Sequence, residues 1–204
     1  MQEYHYTARI YDPLLSSAVR PIRNRIVSLI KRYKYRSILD VCCGTGEQLK
    51  LLKEQGIEGV GVDLSEAMLK VAGRGKHKAD CLNQDASQME YDRETFDLAM
   101  TTFALHEKSP ETARAIVEEM LRVTAKGGDI LIVDYDLSEK TSPLYKMLVY
   151  IIERIAGGEH YRNFRSYIDA GGLPALLKDT SLTEVKRYYF ARHSIVLLLL
   201  RKEA

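Results

Sequence analysis

The sequence predicts a single α/β domain with a seven-stranded mixed sheet, in which parallel strands alternate with helices on both faces and the final strand is antiparallel. Short apolar runs alternate with amphipathic stretches along the chain, as expected for parallel strands joined by crossover helices. The last two apolar runs are separated by only a few residues around Arg192, too few for a parallel crossover. The 204 residues are 46% apolar and 28% charged, an ordinary composition for one globular domain.

Seven apolar runs give the strands of this sheet. In chain order they cover residues 37–41, 59–62, 81–84, 96–101, 129–133, 182–189 and 194–200. The longest uninterrupted apolar run, 195–200, falls far short of the roughly 20 residues of a membrane-spanning helix. We therefore interpret it as a buried strand.

Capping residues in the sequence mark the ends of several helices between these strands. A helix over 47–55 is expected to close at Gly56, and Ser65 can cap a helix over 66–72. Ser109 and Pro110 should begin a helix that runs to about residue 124 and stops at 126–128. Two more helices, 142–156 and 164–170, lie in an insertion over about 138–180 that we expect to cover the functional site.

The N-terminal segment, about 1–35, is predicted to be helical. Over 19–36 it is a basic amphipathic helix, in which apolar residues recur at helical spacing and seven cations occur without an acidic residue. This pattern is compatible with a solvated positive face, and also with weak contact to an anionic substrate or a peripheral membrane surface.

Composition also limits the function. The net charge of +2 gives no reason to expect a nucleic-acid partner, and residues 1–10 do not resemble a signal peptide. Cys42, Cys43 and Cys81 are odd in number and lack metal-pair spacing, so we expect no disulfide framework and no metal site. A reducing cytoplasm suits them best.

The segment SILDVCCGTG, residues 37–46, joins the first strand to the next helix. Glycines at Gly44 and Gly46 allow a ligand to approach the backbone closely, although such turns also occur as plain connections. Asp63 ends the second strand, where its carboxylate can accept hydrogen bonds from a ribose or cap the next helix. Leu64 and Met68 are placed to bracket an adenine.

The third strand ends at Asp85, which is placed to accept a hydrogen bond from the exocyclic adenine amine, while Ala86 leaves room for the ring. In these residues the chain resembles the class I S-adenosylmethionine-dependent methyltransferases, in particular the small-molecule group called methyltransferase type 11. The resemblance covers about 11–201 and rests on five segments: LDVCCGTG, VGVDLS, QDASQM, FDLAMTTFALHE and LRVTAKGGDILIVD.

The resemblance implies a Rossmann-like sheet, with the antiparallel seventh strand inserted beside the fifth, and S-adenosylmethionine as cofactor. It implies that the methionine portion of the cofactor is surrounded by Asp40, Cys42, Gly44 and Gly46. It further assigns the ribose to Asp63, the adenine edge to Asp85 and Ala86, and the neighbourhood of the sulfonium to Thr102 or Phe103.

Two positions depart from the group's pattern. Cys42 stands where many members have a glycine, a replacement that other small residues also make. Quinone-ring methyltransferases of this group usually carry an arginine and an asparagine after the fourth strand, whereas this chain has Leu105, His106 and Glu107. The motif therefore does not support a quinone substrate, and we expect a small-molecule acceptor of another kind, lipid-like or anionic in character.

Methyl transfer from a sulfonium needs positioning more than a protein nucleophile. If the acceptor must lose a proton, His106 is the best-placed base, although it can equally be a packing residue. An NAD-dependent oxidoreductase is the less favoured enzyme, since Leu49 stands where the third glycine of a dinucleotide motif belongs. A non-catalytic S-adenosylmethionine-binding protein on the same fold also remains open.

Overall fold

The structure, a computed structural model, describes the backbone of residues 4–203 and the side chains of residues 19–203. Seven strands form one sheet. They are β1 (Ile38–Val41), β2 (Val60–Asp63), β3 (Asp80–Asn83), β4 (Phe96–Thr102), β5 (Thr124–Tyr135), β6 (Leu182–Phe190) and β7 (Ile195–Lys202).

The strand order is β3-β2-β1-β4-β5-β7-β6. Strands β1 to β5 are parallel to their neighbours, and β7 runs antiparallel to both β5 and β6. The predicted mixed sheet is confirmed, including the insertion of the last strand beside the fifth. The chain order reverses at β1, so ligands are expected at the carboxyl ends of β1 and β4.

The helices are α1 (Tyr4–Tyr33), α2 (Glu47–Glu54), α3 (Glu66–Ala72), α4 (Pro110–Val123), α5 (Pro143–Ala156), α6 (Gly158–Asp169) and α7 (Gly172–Leu176), with a 3-10 turn at Leu105–Glu107. The predicted caps are present. Ser65 Oγ accepts a hydrogen bond from the Met68 N–H at 3.4 Å, and Ser109 Oγ accepts one from the Thr112 N–H at 3.2 Å.

Two boundaries differ from the prediction. Residues 126–128 were predicted to separate a helix from the next strand, but they lie within β5. The pairing register of β4 and β5 shifts between Phe96 and Leu98, and this irregularity accommodates Gly127 at φ 70°. Helix α6 begins at Gly158, six residues before the predicted start at 164. Only Gly157, at φ 130°, interrupts the helical backbone between α5 and α6.

Apolar side chains fill both faces of the sheet. Helices α1 and α2 pack on one face through Ile26, Ile30 and Leu52, and α4 packs on the other through Ile116 and Met120. The cations of 19–36 remain at least partly exposed, but α1 ends at Tyr33, so the last two of them, Lys34 and Arg36, lie beyond the helix. Within residues 4–203, no helix combines the length and apolar character needed to cross a membrane.

Candidate active site

The loop after β1 contains three residues in the left-handed backbone region: Cys42 at φ 58°, Gly44 at φ 55° and Gly46 at φ 69°. A side chain at Gly46 would place its Cβ 2.7 Å from the Ala79 Cβ, so this glycine is needed for packing. A Cβ at Gly44 would meet nothing within 4 Å. The backbone at Gly44 therefore borders open space, which is what close approach of a ligand requires.

Asp40 lies beside this loop and is 2% exposed. Its Oδ1 receives no hydrogen bond from any described residue. Burial, with smaller contributions from the charges of Cys81 and Asp63, raises the pKa of Asp40 to about 8. A buried carboxyl oxygen without a donor is costly, so this position suits a ligand that brings a cationic or N–H donor, such as the ammonium of a methionine moiety.

Asp63 ties the end of β2 to the same loop. Its Oδ2 accepts a hydrogen bond from the Gly44 N–H and its Oδ1 accepts one from the Ser65 N–H, each at 2.8 Å. Asp63 thus shapes the loop, and its ribose role stays a prediction. Asn83, at the end of β3, donates to the Asp63 and Leu64 carbonyls at 3.1 and 3.0 Å, a contact that the sequence analysis missed.

The residues predicted around the adenine differ in accessibility. Leu64 is 64% exposed and Met68 is half-buried, so both are available at this edge. Asp85 is exposed, and its Oδ1 accepts bonds from the Ser87 N–H and hydroxyl, which lower the pKa of Asp85. Ala86 is buried in the core, which disfavours contact through its side chain. The adenine roles stay predictions.

The predicted sulfonium residues lie at the end of β4. Thr102 is half-buried. Phe103 adopts φ 55°, and its N–H donates to the Val133 carbonyl at 2.8 Å. The Phe103 ring lies 5.9 Å from the Tyr135 ring. This edge continues directly into the 3-10 turn that carries His106.

His106 is buried, at 3% exposure. Its Nδ1 lies 2.6 Å from Asp134 Oδ1, and its Nε2 lies 3.6 Å from Glu153 Oε2. Burial would lower the pKa of His106, but Asp134, Glu153 and Glu107 outweigh burial and raise it to about 9. A raised pKa favours the protonated ring, and a protonated ring is a poor proton acceptor. The general-base role stays a prediction.

Two residues of the insertion complete a cluster around His106. Glu153, on α5, is 3% exposed, and its Oε2 lies 2.5 Å from His160 Nε2. His160, on α6, places Nδ1 3.4 Å from Glu107 Oε2. Asn163 on the same helix donates to the Glu107 carbonyl at 2.9 Å. The insertion is thus held against the 3-10 turn.

A cavity of about 370 Å³ opens next to the 3-10 turn, between α4 and the helices α6 and α7. Apolar residues, including Leu105, Ala113 and Leu176, form much of its lining, with Tyr167 and Lys108 among the polar residues. Lys108 influences the pKa of both Cys42 and Asp85 electrostatically, so it lies toward the candidate cofactor edge. The size falls within the usual range for a small-molecule site.

These features can be compared with known families. Residues 38–128 match a family model described as a methyltransferase domain, and this range contains β1 to β4 with the loop at Gly44 and the acid at Asp63. The match and the sheet order make this chain similar to the class I S-adenosylmethionine-dependent methyltransferases. The buried oxygen of Asp40 and the open space at Gly44 fit the cofactor of that class.

Similar proteins agree with this assignment. A curated demethylmenaquinone methyltransferase of Paenarthrobacter aurescens is 30% identical over 139 residues, which are 68% of this chain and 53% of the relative. The chain spans little more than half the length of the curated relatives it matches.

Two solved structures share the fold. A protein from Pyrococcus horikoshii has a TM-score of 0.66 at 20% identity, with 100% of this chain and 93% of that chain covered. The magnesium protoporphyrin IX methyltransferase of Synechocystis with bound SAH has a TM-score of 0.66 at 14% identity, with 92% and 84% covered.

Proposed function

We propose that this chain transfers the methyl group of S-adenosylmethionine to a small-molecule acceptor at the carboxyl ends of β1 and β4. The observation that carries the proposal is the open backbone at Gly44, which lies between the unpartnered buried oxygen of Asp40 and the carboxylate of Asp63. Open space alone does not mark a site, since Gly56 is equally open; the buried Oδ1 of Asp40, which has no described donor, is what distinguishes the loop at Gly44.

The proposed cofactor contacts follow the strand ends. Asp40 would hold the ammonium of the methionine portion, with the backbone of 42–46 around its carboxylate. Asp63 would accept from the ribose hydroxyls. The adenine would lie against Leu64 and Met68, with Asp85 near its amine and Ala86 beneath it, and the sulfonium would lie near Thr102 or Phe103. The cofactor supplies the activated methyl group, and the protein residues bind and orient it.

The proposed acceptor site is the cavity beside the 3-10 turn. Its lining is partly apolar, and Lys108 and Arg114 are accompanied there by Glu111 and Glu118, which favours a small apolar molecule with a polar group. Lys108, toward the cofactor side, would be the partner of a lipid-like or anionic acceptor. The curated relatives are named for demethylmenaquinone, but this chain has Leu105, His106 and Glu107 after β4. We therefore do not propose a quinone as the acceptor of this protein.

Ligand binding separates the proposal from its alternatives. S-adenosylmethionine and S-adenosylhomocysteine should raise the melting temperature, while NAD should not. At about 100 times the dissociation constant, a ligand stabilises the native state by roughly 2.7 kcal/mol. A shift with NAD alone would instead favour an oxidoreductase.

Turnover needs its own test, because binding alone also fits a non-catalytic protein on this fold. Cell extract incubated with methyl-labelled cofactor should yield a labelled small molecule only when the protein is present. The Gly44→Ala variant serves as the control for contaminating enzymes. If native protein binds the cofactor but labels nothing in extracts from several growth conditions, the non-catalytic alternative is favoured.

The base role predicted for His106 is tested on the same acceptor. If His106 accepts a proton, His106→Gln should lower single-turnover methyl transfer by about 10²-fold or more while leaving S-adenosylhomocysteine affinity unchanged. Equal loss of affinity and rate would assign the residue to the cofactor pocket instead.

We further propose weak peripheral contact of the basic helix 19–36 with anionic membranes, and a cytoplasmic location. Exposed cations such as Arg25 and Lys31 support the first proposal. The free thiols of Cys42, Cys43 and Cys81 support the second.

A further inference from the structure

The cluster of His106, Glu153 and His160 has the composition of a metal site. Each residue offers one ligand atom, and the three atoms lie within 4.8 Å of one another. The residues come from three separate elements: the 3-10 turn, α5 and α6. Two of the three are fully buried and the third is half-buried, so the donors are fixed in place by packing.

One distance in the cluster is close to that of a metal-bound set, and a second is shorter. Ligand atoms about 2.1 Å from a tetrahedral zinc ion lie roughly 3.4 Å apart. His106 Nε2 and Glu153 Oε2 are 3.6 Å apart. His160 Nε2 and Glu153 Oε2 are 2.5 Å apart, so a rotation of the half-buried His160 ring away from the carboxylate would make room for an ion.

The surrounding groups orient these donors as the outer partners of a metal site do. Asp134 Oδ1 accepts the Nδ1 proton of His106 at 2.6 Å, so Nε2 is the atom that an ion would bind in place of a proton. Asp134 Oδ2 accepts from the Leu105 and His106 N–H groups at 3.1 and 3.3 Å, which fixes the turn. The Tyr135 hydroxyl donates to Glu153 Oε1 at 2.8 Å. A carboxylate on the second nitrogen of a ligating histidine is the usual arrangement.

Charge also favours a cation here. Asp134 and Glu153 are both fully buried and both contact His106. Glu107, at the edge of the cluster, forms an ion pair in which its Oε1 lies 2.9 Å from Lys108 Nζ. Among the described residues, the two buried carboxylates have no Lys or Arg partner and face the two imidazoles instead. A divalent ion would take the place of protons on the imidazoles and would leave both rings neutral, as ligation requires.

We propose that His106 Nε2, Glu153 Oε2 and His160 Nε2 bind a divalent first-row transition metal ion, with zinc as the best match. Two imidazoles and one carboxylate suit zinc and its neighbours, whereas magnesium and calcium prefer oxygen ligands alone. The ion joins α5 and α6 to the turn after β4, at the acceptor side of the domain. His106 then serves as a ligand and is not available as the base.

Cobalt(II) is the probe, because the visible absorption of the bound ion is stronger when the ion has four ligands than when it has six. Protein without a histidine tag, treated with chelator and dialysed, should bind one equivalent of Co²⁺ and develop d–d bands that Zn²⁺ abolishes and millimolar Mg²⁺ does not. His160→Ala and Glu153→Gln should lose the bands. The matched control His77→Ala, outside the cluster, should retain them.

Asp134→Asn tests the outer partner and should weaken Co²⁺ binding by about 10- to 100-fold. Circular dichroism checks that each variant is folded, and Glu153→Gln keeps the shape of the side chain if His160→Ala fails to fold. Absence of stoichiometric Co²⁺ binding by the native chain overturns the proposal, as does unchanged binding by both ligand variants. The assay measures no methyl transfer, so it stands or falls separately from the proposed function.

Discussion

Replacing Gly44 with alanine tests whether the loop after β1 is shaped for a ligand. Gly44 has φ 55° and open space where a Cβ would project. Gly56 offers a matched control, since it has φ 70°, also has nothing within 4 Å of the place that a Cβ would take, and lies at the far end of α2. Both alanine variants carry the same kind of backbone strain, but only the one at Gly44 puts a methyl group into the proposed cofactor site.

The two expected effects have different sizes. A left-handed alanine costs about 1–2 kcal/mol, and 1 kcal/mol lowers the melting temperature of a chain of this size by roughly 2–4 °C. Both variants should therefore lose about 2–8 °C without ligand. A methyl group that overlaps the ligand costs a further 1–3 kcal/mol or so, which is roughly 5- to 160-fold in affinity, and only Gly44→Ala should show this loss.

Calorimetric titration with S-adenosylhomocysteine and thermal melts with and without it give both quantities. At about 100 times the native dissociation constant, Gly56→Ala should keep the full ligand-induced shift, and Gly44→Ala should lose between about a third and about nine-tenths of it. If Gly44→Ala binds as tightly as the native chain while melting like Gly56→Ala, the open space at Gly44 does not hold the cofactor and the reasoning fails.

Four other outcomes are expected. Asp63→Ala should lose S-adenosylhomocysteine binding by calorimetry and also unfold about 1–3 kcal/mol more easily in urea, because the Gly44 and Ser65 N–H groups lose their acceptor; normal binding would remove Asp63 from the ribose role. Cys42→Gly should be more stable than Cys42→Ala by roughly 1 kcal/mol, the reverse of the usual order, because φ is 58°; equal urea midpoints would contradict this strain. The basic helix 19–36 should float with anionic but not neutral liposomes at low salt and detach when the Debye length falls well below about 10 Å; equal flotation on both would leave it a solvated face. Folding raises the pKa of Asp40 to about 8, chiefly through burial, so the stability of the native chain relative to Asp40→Asn should fall as pH rises from about 4 to 8; parallel melting curves across that interval would rule the shift out.

The proposed cofactor side of the domain could be located from the sequence because its residues follow strand ends. Asp40, Asp63 and Thr102 are far apart in the chain, but parallel strands bring their carboxyl ends to one edge, so a correct strand pattern places them together. The hairpin length fixed the direction of the last strand, and the family resemblance supplied its place beside β5. Backbone detail escaped prediction: the left-handed conformation of Cys42 depends on the packing of the loop, and no local pattern marks it.

The acceptor side was not predictable in the same way. His160 lies 54 positions after His106 and belongs to a helix whose start was misplaced, so no spacing rule connects the two rings. Their meeting depends on how α6 packs on the 3-10 turn, where Asn163 donates to the Glu107 carbonyl. Such contacts between an insertion and a sheet edge carry no periodic signal, which is why the sequence analysis expected no metal.

Asp134 connects these two sides of the domain. It stands near the end of β5, and its two oxygens accept from the backbone of the turn and from the His106 ring. The turn directly follows Phe103, at the proposed sulfonium end of the cofactor site. An ion bound by His106 would therefore fix the insertion helices and the methyl-transfer edge through one shared segment, so a change in the position of the insertion would reach the acceptor site without moving the strands that hold the cofactor.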